Sequence, residues 1–196
     1  MILPIIAYGD PVLRKMSKDI YQDYPKLKEL IENMYETMYN AFGVGLAAPQ
    51  IGLPIRMFIV DASPFAEDEA LTDEEINELK DFKCTFINAK ILEEEGEEWI
   101  FSEGCLSIPN IREDVSRKPQ IKVQYQDENF ETHIKEFSGL LARVIQHEYD
   151  HIEGVLFTDL ISSFKKRLIK GKLNNISKGK INVDYRMRFP DEKKKR

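Results

Sequence analysis

The segment that most constrains this chain is His147-Glu148-Tyr149-Asp150-His151, a His-Glu-x-x-His pattern that follows the run Leu140-Leu141-Ala142-Arg143-Val144-Ile145-Gln146. At about 100° per residue, side chains four apart on a helix lie within roughly 40° of each other. The two imidazoles therefore share a face with Leu140 and Val144 and point inward. On the same count Glu148 lies about 60° round from His151. Buried polar rings must be hydrogen-bonded or ligated. Two imidazoles beside a carboxylate base are what a hydrolytic metal site requires. Core histidines bonded to backbone are the plainer alternative, yet a chance match in a chain this long has odds of roughly one in a few hundred. Two of the chain's three histidines fall inside the pattern, and the metal reading leads.

A catalytic site of this kind needs a third protein ligand. Six residues after His151, where one extended pattern would carry another histidine, stands Phe157. The only glutamates downstream are Glu153, too close, and Glu192, in a charged tail. The ligand therefore comes from upstream, with Cys105 in Glu103-Gly104-Cys105-Leu106-Ser107 the best candidate. There a turn after a strand would present a thiolate, although an isolated cysteine is as readily a small buried hydrophobe. Cys84, in Cys84-Thr85-Phe86-Ile87-Asn88, reads as strand core, and His133 as a surface histidine.

Around this centre the periodicity predicts an α+β domain. It consists of short, mostly antiparallel strands around a central helix carrying the His-Glu-x-x-His motif. Leu27, Leu30, Ile31, Met34, Tyr35 and Met38 recur at helical spacing, so residues 25–41 form a helix with Pro25 in its first turn. Thr72 and Glu75 make a capping box for a short surface helix. Strands are expected at 55–60, 84–91, 98–102, 120–126 and 130–137. Ser138 caps the motif helix at 139–152, which Gly154 stops. A helix at 161–175, a strand at 181–187 and a solvated end at 191–196 complete the chain. At 196 residues this is one domain, able to bury a core without disulfide or metal.

Charge is unevenly divided. Residues 165–196 hold 13 Lys/Arg against 3 Asp/Glu, a balance of +10, while the remainder balances at −16. An acidic body argues against direct sequence-specific nucleic-acid binding and leaves open a tail that touches something anionic. The apolar stretch Ile2–Ala7 is too short for a signal core or a membrane span, and two cysteines make no disulfide framework. A cytoplasmic protein without a membrane partner is the expectation.

Three segments coincide: Gly43-Val44-Gly45-Leu46-Ala47-Ala48-Pro49-Gln50, Glu103-Gly104-Cys105-Leu106-Ser107 and Gln146-His147-Glu148-Tyr149-Asp150-His151. In order and spacing they resemble the three signature motifs of the peptide deformylases, and the resemblance extends over roughly residues 1–160. It implies a catalytic domain at 1–164, with 61–83 as an acidic surface insertion and 165–196 as a basic C-terminal extension. It implies removal of the formyl group from formyl-methionyl nascent peptides, with release of formate. Cys105, His147 and His151 would hold the metal, with a water as fourth ligand that attacks the formyl carbon. Glu148 would serve as base and then acid, assisted by Gln50 and the Leu106 N–H. Gly45 would bond the substrate backbone, and an apolar pocket at Val44 would accept methionine.

Gly43 and Gly45 would let a substrate strand approach, though a tight turn is an equally good account of both. Glu103 is expected to pair with Arg117, and Asp150 to act as an anchor. The family implies Fe²⁺, with Zn²⁺, Ni²⁺ or Co²⁺ as replacements, although two histidines and a cysteine also suit zinc. Residues 165–180 would be the part that contacts the ribosome. A zincin-type peptidase shares the helix motif, but the missing downstream ligand argues against it. A non-catalytic protein with a structural metal would need neither Glu148 nor Gln50.

Overall fold

Alternating burial along short strands organises the chain. The computed structural model describes residues 1–68 and 71–190. A two-residue strand, β1 (Ile5–Ile6), leads through a 3-10 turn to helix α1 (Leu27–Asn40). Lys26 adopts a left-handed φ of 54°, so the helix begins at Leu27 and Pro25 stays outside it. Strands β2 (Gly45–Ala47) and β3 (Met57–Asp61) follow, then the short helix α2 (Asp73–Leu79). Thr72 and Glu75 form the expected capping box there.

Next come β4 (Lys83–Glu95), β5 (Trp99–Cys105), β6 (Ile108–Arg117), β7 (Gln120–Gln126) and β8 (Thr132–Ser138). Helix α3 (Gly139–Ile152) carries the histidine motif and ends at Gly154, whose φ is 76°. Ser138 stands at its N-cap without a side-chain cap bond; Gly139 N–H instead donates to Pro119 O at 3.0 Å. Helices α4 (Phe157–Leu160) and α5 (Ser163–Ser177) and strand β9 (Met187–Arg188) complete the order.

Five strands form one antiparallel sheet in the order β2-β3-β4-β7-β8, with β2 at an edge. Every residue of β3 is buried because the sheet is covered on both faces. Phe58 and Val60 join Leu141, Val144 and Ile145 of α3. Met57 and Ile59 join Ile31, Met34 and Met38 of α1. Beside this sheet, β5 and β6 form a separate hairpin, and β1 pairs with β9 in parallel. A third apolar cluster gathers Ile108, Ile111 and Val115 of β6, Phe157 of α4, and Ile169, Leu173 and Ile176 of α5. The molecule is a mixed helix and antiparallel-sheet domain, as expected.

One further strand was not foreseen and one expected strand is shorter. Strand β6 has no clean period-two signal: Pro109 and Asn110 interrupt it, and Asn110 takes a φ of 62°. The strand expected at 181–187 shrinks to Met187–Arg188, because its partner β1 offers only Ile5 and Ile6. The expected solvated end at 191–196 lies outside the described residues.

Candidate metal centre

Helix α3 lies across β2 and β3, burying His147, Glu148 and His151. Their spacing sets the two imidazoles 5.2 Å apart, centroid to centroid, at 79° to each other. Cys105 reaches them from the end of β5. The hairpin register slips there, so that Gly104 faces Arg112 but Cys105 faces Ile108, and the chain turns sharply through Leu106 and Ser107. The Cys105 Sγ stands 3.2 Å from His151 Nε2. One ligand atom from each of Cys105, His147 and His151 lies within 4.8 Å of the others. Four-coordinate bonds of about 2.0–2.3 Å would set such ligands roughly 3.5 Å apart, so small shifts would close the cluster on an ion.

Beneath the histidines lies a buried carboxylate. The His147 Nδ1 donates to Glu103 Oε2 at 2.9 Å, which leaves Nε2 for the cluster. Arg117 donates to both Glu103 oxygens, at 2.7 and 3.0 Å, and Arg143 Nη1 to Oε1 at 3.0 Å. Burial alone would raise the Glu103 pKa, but His147 and Arg117 together hold it well below the usual carboxylate range. Arg117 also donates to Asp150 Oδ2 at 2.7 Å, so the expected Glu103–Arg117 pair and Asp150 anchor are both present. Burial lowers the His147 pKa, yet bonds to Cys105 and Glu103 outweigh it and raise the ring well above its ordinary value. His151, desolvated and next to His147, falls well below. A ligand must be unprotonated, so loading an ion here expels a proton.

Glu148 is 4% exposed, and its Oε2 has no hydrogen-bond partner among the described residues. Burial pushes its pKa up to about 7. A buried carboxyl oxygen left unpaired is costly and points to a missing partner in the cavity. Gly45 is what permits this seat: a Cβ there would lie 2.5 Å from Glu148 Oε1. Its requirement is therefore close approach, with no positive φ involved.

Gln50 is oriented from behind, where Ala47 N–H donates to its Oε1 at 2.8 Å. Its Nε2 is thereby aimed at Ser107 Oγ (3.3 Å) and Cys105 Sγ (3.5 Å). Val44, Gly45, Gln50, Cys105, Leu106, His147 and Glu148 all line one cavity of about 620 Å³, which borders the edge strand β2.

Sequence reasoning missed Arg143 and Ser107. Arg143 offered a signal, a lone cation inside an apolar helical run four residues before His147; it also donates to Trp99 O and Val115 O. Ser107, wholly buried, stood inside the Glu103–Ser107 motif with no role assigned to it. Cys84 stays in β4 away from the cluster, as expected. His133 forms a second group with Asp127 and Glu131 that could hold an ion. There Asp127 already accepts from His133 Nε2 at 2.9 Å and from the N–H groups of Asn129 and Glu131, which accounts for the β7–β8 turn.

The family model for polypeptide deformylases matches residues 2–167. A peptide deformylase of Christiangramia forsetii is 69% identical over 196 residues, covering all of both chains. One of Flavobacterium johnsoniae is 65% identical, also over all of both. Among solved structures, a peptide deformylase of Thermus thermophilus is 38% identical with a TM-score of 0.78, covering 91% of this chain and 99% of that one. A Legionella pneumophila peptide deformylase is 33% identical with a TM-score of 0.77, covering 92% and 98%.

Proposed function

This chain belongs to the polypeptide deformylase family, hydrolases that remove the N-formyl group from nascent peptides, and on that premise we propose how its own residues carry the reaction. Cys105, His147 and His151 hold a divalent ion, Fe²⁺ in the working enzyme, with Zn²⁺, Ni²⁺ or Co²⁺ able to replace it. Bound there, the ion would acidify a water and polarise the formyl carbonyl. Glu148 takes the proton of the attacking water and returns it to the departing amine, releasing formate and a free N-terminus. Burial raises its pKa in the metal-free protein, which favours its taking up a proton. The Gln50 amide and the Leu106 N–H stabilise the charge that develops on the formyl oxygen.

Peptide binds as an added strand along the β2 edge. Gly45 bonds its backbone, and the apolar wall at Val44 receives methionine. Residues 1–164 form the catalytic body with 61–83 as an acidic surface insertion, and 165–196 a basic extension whose residues 165–180 contact the ribosome. The chain works in the cytoplasm, without a membrane partner or direct sequence-specific nucleic-acid binding. No helix among the described residues is long and apolar enough to cross a membrane.

The observation that carries the mechanism is the buried Glu148 carboxyl, its Oε2 without a partner among the described residues, in the same cavity as Cys105 and His147 of the ligand cluster. The test offers formyl-Met-Ala-Ser and an internally cleavable peptide to wild type and Glu148→Gln, with metal content measured on both. Formate release by wild type alone, with metal retained in the variant and no internal cleavage, is expected. Turnover surviving in the variant would overturn the role of Glu148. For the ion, protein prepared under argon should be the more active and hold iron; equal activity after aerobic preparation, with full zinc in both, would refute Fe²⁺.

A further inference from the structure

Residues 182–185 lie beyond the stretch matched by the family model, yet they line the same cavity as Cys105 and Glu148. They are held at both ends. Asn110 Nδ2 donates to Asn182 O at 3.2 Å. On the other side β9 is zipped to β1, with Ile5 N–H donating to Arg186 O at 2.9 Å and Ala7 N–H to Arg188 O at 3.0 Å. Between these clamps the Tyr185 hydroxyl donates to Leu106 O at 2.8 Å. Its ring and Leu106 pack against the α1 side of the core.

We propose that the returning C-terminal segment is a wall of the substrate cleft and that Tyr185 is a positioning residue, restraining the Leu106 main chain beside the reacting carbonyl. This rests on the role assigned above to the Leu106 N–H. Besides the contacts of the Cys105 thiol, the turn Cys105-Leu106-Ser107 is pinned at three points. Tyr8 N–H donates to Ser107 O at 2.8 Å, Gln50 Nε2 reaches Ser107 Oγ at 3.3 Å, and Tyr185 holds the Leu106 carbonyl.

Of the three, only Tyr185 grips Leu106 itself. The Leu106 N–H lies in the Cys105–Leu106 peptide plane and its C=O in the next plane, and the two meet at the Leu106 Cα. The pairing of Cys105 with Ile108 holds the first plane at one end. Tyr185, by holding the carbonyl, restrains the shared Cα at the other and so narrows the swing of the N–H. A hydrogen-bond donor for an oxyanion works only when pre-aimed, because reorientation during reaction forfeits its advantage. The basic tail thus has two parts, the helix α5 and a segment that closes the site.

Tyr185→Phe keeps the ring and removes only the hydroxyl. With formyl-Met-Ala-Ser, kcat should fall roughly ten-fold, the lower end for loss of an outer hydrogen-bond partner at a metal site. KM, metal per chain and Tm should stay at wild-type values. Tyr185→Ala, which loses the ring as well, should add a raised KM and a lowered Tm. An unchanged kcat in Tyr185→Phe, or a fall matched by metal loss or lower Tm, would overturn the positioning role. Glu148→Gln in the same assay separates the two ideas: turnover persisting there sinks the reading of the site. Turnover lost there, with Tyr185→Phe unaltered, sinks only the inference.

Discussion

Glu148 and Gly45 form one unit at the scale of single residues. The carboxyl can occupy its place only because position 45 has no Cβ, which would stand 2.5 Å from Oε1. Gly45→Ala should therefore push Glu148 aside and cut turnover at least ten-fold, about 1.4 kcal/mol in the barrier. Formate assays against an unchanged far-UV spectrum check it. The raised Glu148 pKa also has a stability consequence in metal-free protein. Its folded value, about 7, lies above the ordinary carboxylate value of 4.5. The fold therefore favours the protonated form, and stability is lost as pH rises from about 4.5 towards 7. Glu148→Gln should flatten that loss and raise the metal-free Tm above pH 7 by ~5 °C. Equal Tm for both proteins at pH 8 would contradict it.

At the scale of elements, Glu103 joins three of them. From β5 it reaches Arg117 at the end of β6 and Arg143 and His147 on α3, while Arg117 in turn holds Asp150. Glu103→Gln leaves two buried guanidinium groups short of their counter-charge, which should cost about 3–5 kcal/mol. It should also weaken metal binding roughly 10- to 100-fold, since the His147 ring loses its orienting acceptor. Denaturant unfolding and competition with a chelator measure the two effects.

The sign of the acid response follows from the same carboxylate. Its folded pKa lies below its unfolded value, so its stabilisation is complete above about pH 4.5 and drains as pH falls. The variant's stability should therefore fall less steeply than wild type's between pH 5 and pH 3. Asp61 acts likewise at the end of β3. Burial raises its pKa, but bonds from Ser63 and Tyr39 lower it further, tying α1 to the strand at neutral pH.

Across the whole molecule the divided charge separates into structural parts. Helix α5 is no detached appendage, because Ile169, Leu173 and Ile176 are buried against β6 and α4. Removing 165–196 would strip that cluster and Tyr185 together, so it cannot isolate a docking role. Lys165 is also occupied, by Glu113 and Asp114. Arg167, Lys170 and Lys172 are exposed and suit charge reversal. Replacing all three with Glu should abolish co-sedimentation with ribosomes while kcat/KM on a short formyl peptide stays within two-fold. Unchanged co-sedimentation would remove the ribosome from the account of this tail.

What could be read from residue order alone was local. Periodicity located α1 and α3 to within two residues, Thr72 and Glu75 capped α2, and the His-Glu-x-x-His spacing put two imidazoles on one face. Elimination of downstream ligands then pointed to Cys105. The helix, cap and histidine signals survive because each lies within a few turns of chain, where geometry follows from dihedral preference and hydrophobic pattern.

What spans tens of residues was decided by the tertiary structure. Strand β6 exists because β5 lies beside it, despite Pro109 and a left-handed Asn110. Arg143 and Ser107 gain their parts from neighbours 40 and 57 residues away in Glu103 and Gln50. Tyr185, 79 residues from Leu106, reaches the cleft only once β9 has paired with β1. Hydrogen bonds are short-ranged and directional, so such partners have no sequence signature until folding brings them within about 3 Å.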